Sequence, residues 1–288
     1  MTLRNRIADN LVKYRRIVIW GAGGLGLTSY NRWLPKAQLA GIFDSNSAKH
    51  GTLIGNFTVQ PPSAVFLEDI DAVIITTSAQ DEVRSALNKM NYQGDVWFVY
   101  ELFLSDSDKK ISEITKLRVD IEVIRDRPWI PFIFARPQIL VNVTFHIGNW
   151  AAELPTPFGR LLYFTILPLH TLMTILFSIQ LPLGTSVGPG FAFAHFGTIV
   201  FTRRARIGSF FTIYHGCTVG TNDTGEGPEI GDFVYQYSGS HILGRCKIGN
   251  KSRIAANAVV LDLECNPNCT IGGVPARVIR EHQERANA

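Results

Sequence analysis

Aliphatic residues recur at every sixth position in the C-terminal third of the chain. The pattern runs from Ile207 to Val219 and, after a loop, from Ile230 to Val260, and one polar residue, Gln236, stands in register with it. The aliphatic positions are Ile207, Ile213, Val219, Ile230, Ile242, Ile248, Ile254 and Val260. Since a period of six fits neither an α-helix nor a simple strand, it indicates a coil with three short faces, whose counted side chains point inward and stack from turn to turn. The pattern predicts a parallel β-helix.

The N-terminal third has a different pattern, in which short apolar strands alternate with helices. Strands are predicted at 17–20, 39–43, 71–76 and 95–99, and helices at about 24–33 and 80–90. This alternation predicts a small Rossmann-like parallel sheet. The complete fold class is an α/β Rossmann-like N-terminal domain, a helical connector and a C-terminal β-helix. The predicted boundaries are 1–105, 106–182 and 183–279, with a tail at 280–288.

A glycine-rich turn follows the first predicted strand. Gly21, Gly23 and Gly26 give the spacing GxGxxG, and Asp44 ends the second strand. In dinucleotide-binding domains, backbone amides at a helix N-terminus hold phosphates and the carboxylate holds ribose hydroxyls. Two interpretations stay open: a site for a nucleotide or nucleotide-sugar, and a tight turn in a structural domain. No catalytic domain for hydride transfer follows, which disfavours NAD-dependent oxidation.

The segment from Leu161 to Leu183 contains no charged residue. Its length is sufficient to span a bilayer. Pro168, His170 and Gln180 argue against a clean span, as does the need to begin β-coils directly after Leu183. Three interpretations remain, in order of preference: a helix packed against the β-helix or between subunits, a contact with a membrane surface, and a true span.

Composition limits the functional classes. The chain has 288 residues, enough for about two domains, and a net charge of +4 without a basic run that would indicate nucleic acid. Its densest basic cluster, Arg203, Arg204 and Arg206, is either a solvated face or a contact for phosphate or anionic lipid. The four cysteines include no CxxC pair, so no metal site is predicted. Because no secretory signal is recognisable at the start, a cytoplasmic location is expected.

The repeats end in Gly272-Gly273-Val274-Pro275-Ala276-Arg277, and together they resemble the left-handed β-helix of the hexapeptide acyltransferases. The segment 187–200 resembles the coil of serine acetyltransferases and of colanic acid (exopolysaccharide) acetyltransferases that contains their essential histidine. His195 falls on that position. Acetyl transfer from a thioester to an alcohol needs a base, and imidazole titrates near neutrality. The resemblance therefore implies that His195 is the general base, with acetyl-CoA as co-substrate.

The resemblance implies further site residues. His215 lies twenty residues after His195, either near it in one subunit or facing it across a subunit boundary, and is assigned to acceptor or thioester binding. Cofactor-binding positions are expected at Gly220, Thr221, Ser238, Arg253, Ala256 and Arg277. The loop 221–228 interrupts the six-residue count, and such insertions commonly cover a site. Cys217 is read as a small buried residue in preference to a nucleophile.

Three positions depart from serine acetyltransferases: Gln180 and Ala194 stand where those enzymes have aspartates, and Gly227 stands where their loop has a histidine. Gln180, or a loop carboxylate such as Asp223 or Glu226, is then the expected support for the general base. Without those acids, recognition of an amino acid's ammonium group is difficult. The sequence therefore favours O-acetylation of a sugar hydroxyl in surface polysaccharide biosynthesis by a homotrimer. Serine O-acetylation and a non-catalytic nucleotide-sugar-sensing module are the alternatives.

Overall fold

The computed structural model describes residues 3–63, 67–77, 80–103, 111–124 and 136–282. They belong to two compact units, Met1–Lys109 and Lys110–Ala288. Residues 106–110 and 125–135 of the predicted connector, and residues 283–288 of the predicted tail, lie outside the described residues. The two units are described separately below.

The N-terminal unit is built on a parallel sheet. Its strands are β1 (Ile17–Trp20), β2 (Leu39–Phe43), β3 (Leu53–Ile54), β4 (Phe57–Gln60), β5 (Ala72–Ile75) and β6 (Asp95–Phe98). The spatial order is β3-β4-β2-β1-β5-β6, and every pairing is parallel except the hairpin of β3 with β4. All four residues of β1 and of β5 are buried, as expected for the central strands of a sheet covered on both faces. The strands predicted from sequence are confirmed.

Helices accompany this sheet at both predicted places, and a further helix that the sequence did not predict precedes β1. They are α1 (Leu3–Leu11), α2 (Gly24–Thr28), which continues as a π-helical turn at Ser29–Trp33, and α3 (Gln80–Lys89). The helix α2 begins directly after the glycine-rich turn. Gly26 lies so close to Gly21 that a Cβ atom on Gly26 would lie 1.8 Å from the Gly21 carbonyl oxygen. The third glycine of the motif therefore lets the helix approach the turn that precedes it.

Three helices open the second unit: α4 (Glu113–Ile124), α5 (Ile139–Glu153) and α6 (Phe158–Phe177). Within the buried face of α6, His170 Nε2 donates to the Leu181 carbonyl (2.7 Å), and His170 Nδ1 lies 2.9 Å from the Thr144 hydroxyl of α5. These bonds fasten α6 to α5 and to the chain that follows. Burial lowers the pKa of His170, consistent with a neutral ring that donates at one nitrogen and accepts at the other.

The uncharged segment 161–183 is not one element. The helix α6 ends at Phe177, and Ser178 at its C-cap adopts a left-handed conformation. Ile179 and Gln180 already form the first strand of the β-structure. The β-helix thus begins four residues before the predicted boundary at 183. By length and composition alone α6 is able to cross a membrane, and only 6% of its apolar window is buried.

The rest of the second unit is a parallel β-helix with three faces. The first face consists of β7 (Ile179–Gln180), β10 (Ile199–Phe201), β13 (Thr218–Gly220), β16 (His241–Leu243) and β19 (Val259–Leu261). The second consists of β8 (Ser186–Val187), β11 (Arg206–Ile207), β14 (Glu229–Ile230), β17 (Lys247–Ile248) and β20 (Glu264–Cys265). The third consists of β9 (Ala192–Phe193), β12 (Thr212–Ile213), β15 (Tyr235–Gln236), β18 (Arg253–Ile254), β21 (Cys269–Gly273) and the antiparallel β22 (Ala276–Glu281).

The six-residue pattern marks the interior of this β-helix. All its aliphatic positions are at most 4% exposed, and partners from successive coils lie in register, as Val219 does with Ile242. Gln236 is also fully buried; its amide nitrogen donates to the Thr218 and Ser240 carbonyls at 3.2 and 3.0 Å. These bonds explain how a polar residue occupies an inward position. The predicted parallel β-helix is confirmed.

Candidate functional site

His195 lies in the turn from the third face to the first, at the edge of the β-helix that we call the histidine edge (residues 194–198, 214–217, 237–240 and 255–258). The chain takes seven steps from Phe193 to Val200 but five from Ile213 to Thr218, their partners on the next coil. Two extra residues therefore widen this turn. The His195 side chain is exposed, and it has no hydrogen-bond partner among the described residues. Its ring is free to meet a substrate at this edge.

The turn that holds His195 is fixed by its backbone. Ala194 donates its N–H to the Ile213 carbonyl at 2.9 Å, and Gly197 donates to the Phe177 carbonyl at 3.1 Å. Gly197 and Thr198 both have positive φ, of 114° and 46°. A β-branched residue rarely adopts a left-handed conformation, so the surrounding bonds determine the shape of this turn.

His215 occupies the same edge one coil further along. The ring centroids of His195 and His215 are 5.9 Å apart, and Tyr214 lies 5.7 Å from His195. Tyr214 in turn contacts Tyr237 of the next coil, with centroids 5.3 Å apart. Of the two arrangements open from sequence, the structure selects the first: both histidines belong to one chain and stand side by side. His215 is not on an opposite wall.

A buried network supports this edge from the connector helices, and the sequence analysis missed it. Arg136 Nη1 donates to the Ala194 carbonyl at 3.1 Å, and Gln138 Nε2 donates to the Phe193 carbonyl at 3.2 Å. Both contacts cover the open edge of β9, the first strand of the third face. Arg136 thus holds the residue that precedes His195. The residues of each pair are more than 50 positions apart in the sequence, so no periodic pattern in the sequence predicts that they are in contact.

Asp120 of α4 is fully buried, and it anchors the turn that precedes β9. Its Oδ1 accepts from the N–H groups of Gly190 and Phe191 at 2.7 and 2.9 Å, and its Oδ2 accepts from His146 at 2.9 Å. Glu113 accepts from the other nitrogen of His146 at 2.7 Å. Burial disfavours the imidazolium, but the two carboxylates outweigh it and raise the pKa of His146 to about 9. The charged ring of His146 in α5 therefore links this helix to α4 through two ion pairs.

The predicted cofactor residues fall on two edges. Ser238 and Ala256 lie on the histidine edge, on successive coils beyond His215. Arg253 lies on the third face in β18, and Arg277 pairs with Gly272 in the terminal hairpin, close to the same edge. These four positions lie along one side of the β-helix.

Gly220 and Thr221 stand apart from them. They end the first face at the opposite edge, which we call the loop edge because the 221–228 loop leaves there. Four residues of extended chain separate Cys217 from Thr221, or about 13 Å at roughly 3.3 Å per residue. One chain therefore does not gather all predicted cofactor residues around His195.

The positions that differ from serine acetyltransferases are also separated. Gln180 pairs with Val200 on the first face; its side chain is exposed and has no partner among the described residues. Asp223 and Glu226 belong to the loop edge, where Glu226 accepts from the Thr224 hydroxyl at 3.2 Å. Within one chain, none of these groups contacts His195. Their expected support for the histidine stays a prediction.

Cys217 does not have the environment of a nucleophile. It is fully buried, and burial raises the pKa of its thiol, with hydrogen bonds from its surroundings opposing the shift. Its Sγ lies 3.2 Å from the Tyr237 carbonyl and 3.8 Å from the Ser240 hydroxyl. A buried neutral thiol agrees with the small packing residue expected from sequence.

In the N-terminal unit, Asp44 is bound to its own loop. Its Oδ2 accepts from the Ala22 N–H at 2.7 Å and from Lys49 Nζ at 2.8 Å, and its Oδ1 accepts from the Asn46 N–H at 2.8 Å. Burial opposes ionisation, but these donors lower the pKa of Asp44. The carboxylate that the motif assigns to a ribose therefore closes the glycine-rich turn in this structure.

Known proteins resemble the chain over more than half its length. No protein-family model matches it. The serine acetyltransferase of Mycobacterium tuberculosis is 31% identical over 178 residues, covering 59% of this chain and 75% of that protein. That of Synechococcus elongatus is 32% identical over 173 residues, covering 57% and 67%. The solved serine acetyltransferase from Brucella abortus has a TM-score of 0.48 at 27% identity, over 58% of this chain and 68% of the other.

Proposed function

The chain belongs to the serine acetyltransferase family and is an acyltransferase, and we propose that it moves an acetyl group from acetyl-CoA to a hydroxyl group at the histidine edge. The observation that supports this site best is the exposed ring of His195, held beside His215 and free of hydrogen bonds to described residues. The family's implied left-handed β-helix agrees with the parallel coils.

The proposed chemistry needs no covalent intermediate. His195 accepts the proton of the acceptor hydroxyl as its oxygen attacks the acetyl carbonyl carbon, which forms a tetrahedral oxyanion. The oxyanion collapses, the carbon–sulfur bond breaks, and the imidazolium returns its proton to the departing CoA sulfur. His215, 5.9 Å away between ring centroids, is suited to bind the acceptor or the thioester. Ser238 and Ala256 would line the path of the pantetheine arm, with Arg253 and Arg277 near its phosphates.

Serine is the first acceptor to test, because both sequence relatives are named for it. This reverses the preference drawn from the sequence. A sugar hydroxyl is the second candidate. It is favoured by Gln180 and Ala194, which offer no carboxylate to an ammonium group.

Assembly would complete the site. Gly220, Thr221 and the loop carboxylates lie on the loop edge, away from His195 within a chain. A homotrimer that places the 221–228 loop of one subunit against the histidine edge of its neighbour would unite the two sets. We propose such a trimer, with Asp223 or Glu226 of the neighbour near His195.

For the N-terminal unit we propose a Rossmann-like binding domain for a nucleotide or nucleotide-sugar. The strand order places β1 at the centre, and the α2 N-terminus follows the glycine-rich turn at the carboxyl end of that strand. Gly23 has open space around it, with Lys49 Nζ 3.8 Å from where a Cβ would be. The lysine is a cation available to a phosphate once Asp44 releases it.

The deciding experiment is a thiol-release assay on the full chain with acetyl-CoA and a panel of acceptors: serine, nucleotide-sugars and surface oligosaccharides. Mass spectrometry of the product identifies the acetylated group. Turnover with serine alone supports the first candidate, and turnover with a saccharide alone supports the second. Calorimetric titration showing no affinity for acetyl-CoA would overturn both.

A further inference from the structure

Eight large apolar side chains of α6 are uncovered in the described part of the chain. Their exposed fractions range from 37% to 70%. They are Phe158, Leu161, Phe164, Leu167, Leu169, Leu172, Ile175 and Leu176, and we call them the outer half of α6. An apolar patch of this kind normally marks a contact with another molecule or with a membrane.

The arc that the outer half of α6 covers around the helix distinguishes a protein partner from a membrane. At about 3.6 residues per turn, the eight positions cover roughly 200° of the helix circumference. A helix that packs against one other helix or a protein surface needs an apolar stripe of about 100°. A helix lying in a bilayer interface buries its whole outer side among headgroups and acyl chains. The arc therefore fits a lipid surface better than a second protein.

The inner half of α6 prevents it from leaving the protein to span the membrane alone. His170 is bonded to Thr144 and to the Leu181 carbonyl, as described above. Gly148 of α5 lies so close to Leu183 and Ile166 that a Cβ there would be 2.9 Å from Leu183. The helix is thus fixed along the unit, with one side on protein and the other uncovered.

Two cations lie beside the outer half. Arg160 and Arg203 line the same open cavity of about 610 Å³ as Phe164. Both side chains are exposed, and neither has a partner among the described residues, whereas Arg204 and Arg206 bond the Gly225 carbonyl and Glu229. The other charged residues around the cavity are Glu153, Glu113 and Lys116, the last two paired at 2.6 Å. The free cations thus outnumber the one unpaired carboxylate.

We propose that the outer half of α6, together with Arg160 and Arg203, docks the protein on a bilayer that contains anionic phospholipid. The apolar side chains enter the acyl boundary, and the two guanidinium groups bind headgroup phosphates, which they contact in planar, bidentate geometry. The proposal does not depend on the acceptor, because it concerns where the enzyme acts and not what it acetylates.

The test is vesicle flotation of the full chain with phosphatidylglycerol–phosphatidylcholine vesicles and with pure phosphatidylcholine vesicles. Wild-type protein is expected to float with the anionic vesicles. Leu161→Asp should weaken binding by at least about tenfold, since it places a charge in the acyl boundary. Leu53→Asp is the matched control: Leu53 is 72% exposed and Leu161 70%, but Leu53 belongs to the other unit. It should bind like wild type.

A second pair of variants tests the contribution of the two arginines to vesicle binding. Arg160→Glu combined with Arg203→Glu should reduce binding to anionic vesicles by at least about tenfold and abolish the preference over neutral ones. Arg245→Glu, on a later turn of the same loop edge, should leave both unchanged. Circular dichroism confirms that each variant is folded.

Four outcomes would overturn the proposal. In the first, wild type does not float with anionic vesicles. In the second, Leu161→Asp floats as well as Leu53→Asp. In the third, wild type does not float, and the Leu161→Asp variant has a lower sedimentation mass than wild type in the absence of lipid. That result would assign the outer half of α6 to a contact with a second copy of the chain. Retention of wild type on vesicles through a carbonate wash would also contradict it, because it would indicate a span.

Discussion

The rings of His195 and His215 stand on consecutive coils of one edge, with their centroids 5.9 Å apart. Twenty residues of sequence therefore correspond to a single turn of the β-helix at this point. Because both rings come from the same chain, a lesion in either one affects the same half of the proposed intersubunit site. This relationship determines how mutants should combine.

Replacing His195 by alanine should lower kcat for acetyl transfer by at least about 10²-fold, because general-base catalysis contributes roughly 10² to 10⁴. Affinity for acetyl-CoA, measured by calorimetry, should change little. His50→Ala is the matched control, since His50 belongs to the N-terminal unit, where its Nε2 lies 2.7 Å from the Asp44 carbonyl oxygen. Unchanged turnover in His195→Ala would exclude this residue from the mechanism.

Trimers that mix two inactive variants should recover activity only when the two substitutions lie on different edges of the β-helix. Co-expression of His195→Ala with Thr221→Asp should restore about a quarter of wild-type activity, because random assembly gives that fraction of sites an intact histidine edge and an intact loop edge. His195→Ala mixed with His215→Ala should restore none, since both lesions lie on one edge. Tandem affinity purification then isolates the mixed trimers, in which one site of three is intact, so that the expected activity rises to about a third. A scattering mass equal to a monomer at micromolar concentration would contradict the trimer.

Stability should fall at alkaline pH through His146. Its pKa is raised to about 9 in the folded state from 6.5 in the unfolded chain. The contribution of the charged ring is therefore complete below pH 6.5, declines above it, and is lost as pH rises through about 9, with a total on the order of 3 kcal/mol. Urea denaturation at pH 6.5 and 9.5 measures the change. His146→Gln should be less stable at pH 6.5 and should lose this pH dependence; an equally steep dependence in the variant would assign the effect to other groups.

The glycine-rich turn offers a matched pair of substitutions. Gly26→Ala should destabilise the N-terminal unit by several kcal/mol, because the new Cβ would lie 1.8 Å from the Gly21 carbonyl oxygen. Gly24→Ala should be tolerated, since nothing lies within 4 Å of its Cβ position. Thermal denaturation compares the two. Equal melting temperatures would show that the turn readily rearranges.

The same unit tests the nucleotide proposal. Gly23→Val should fold, given the open space around Gly23, but should obstruct the turn to a phosphate. Asp44→Ala removes the carboxylate that the motif assigns to the ribose hydroxyls and should also impair binding. A thermal-shift panel of nucleotides and nucleotide-sugars measures this. If wild type responds to none of them, the turn is structural.

The sequence predicted those parts of the fold that repeat. The inward positions from Ile207 to Val260 follow from a period of six, and the strands around Trp20 and Phe43 follow from apolar runs. The first coil escaped the count because it is lined by aromatic side chains such as Phe191 and Phe193 and has two extra residues at the histidine edge. A repeat is invisible where its side chains and its spacing both change.

The candidate site was predicted less completely, for a physical reason. His195 was found through its neighbours in sequence. Its supports are distant in the chain: Arg136 bonds Ala194, 58 residues away, and Asp120, which His146 holds, bonds Gly190, 70 residues away. Such contacts depend on how the helices pack, which no local pattern records. The distribution of Gly220 and Ser238 over different edges likewise became visible only in three dimensions.

The 221–228 loop leaves and re-enters the β-helix without disturbing it. Eleven steps separate Thr218 from Glu229, whereas six separate their partners His241 and Lys247, so five residues are extruded at a single corner. Every later strand resumes its place. Natural selection can therefore lengthen, shorten or recharge this loop while the core and the histidines stay unchanged, so that the surroundings of the proposed acceptor site can vary through changes confined to one turn.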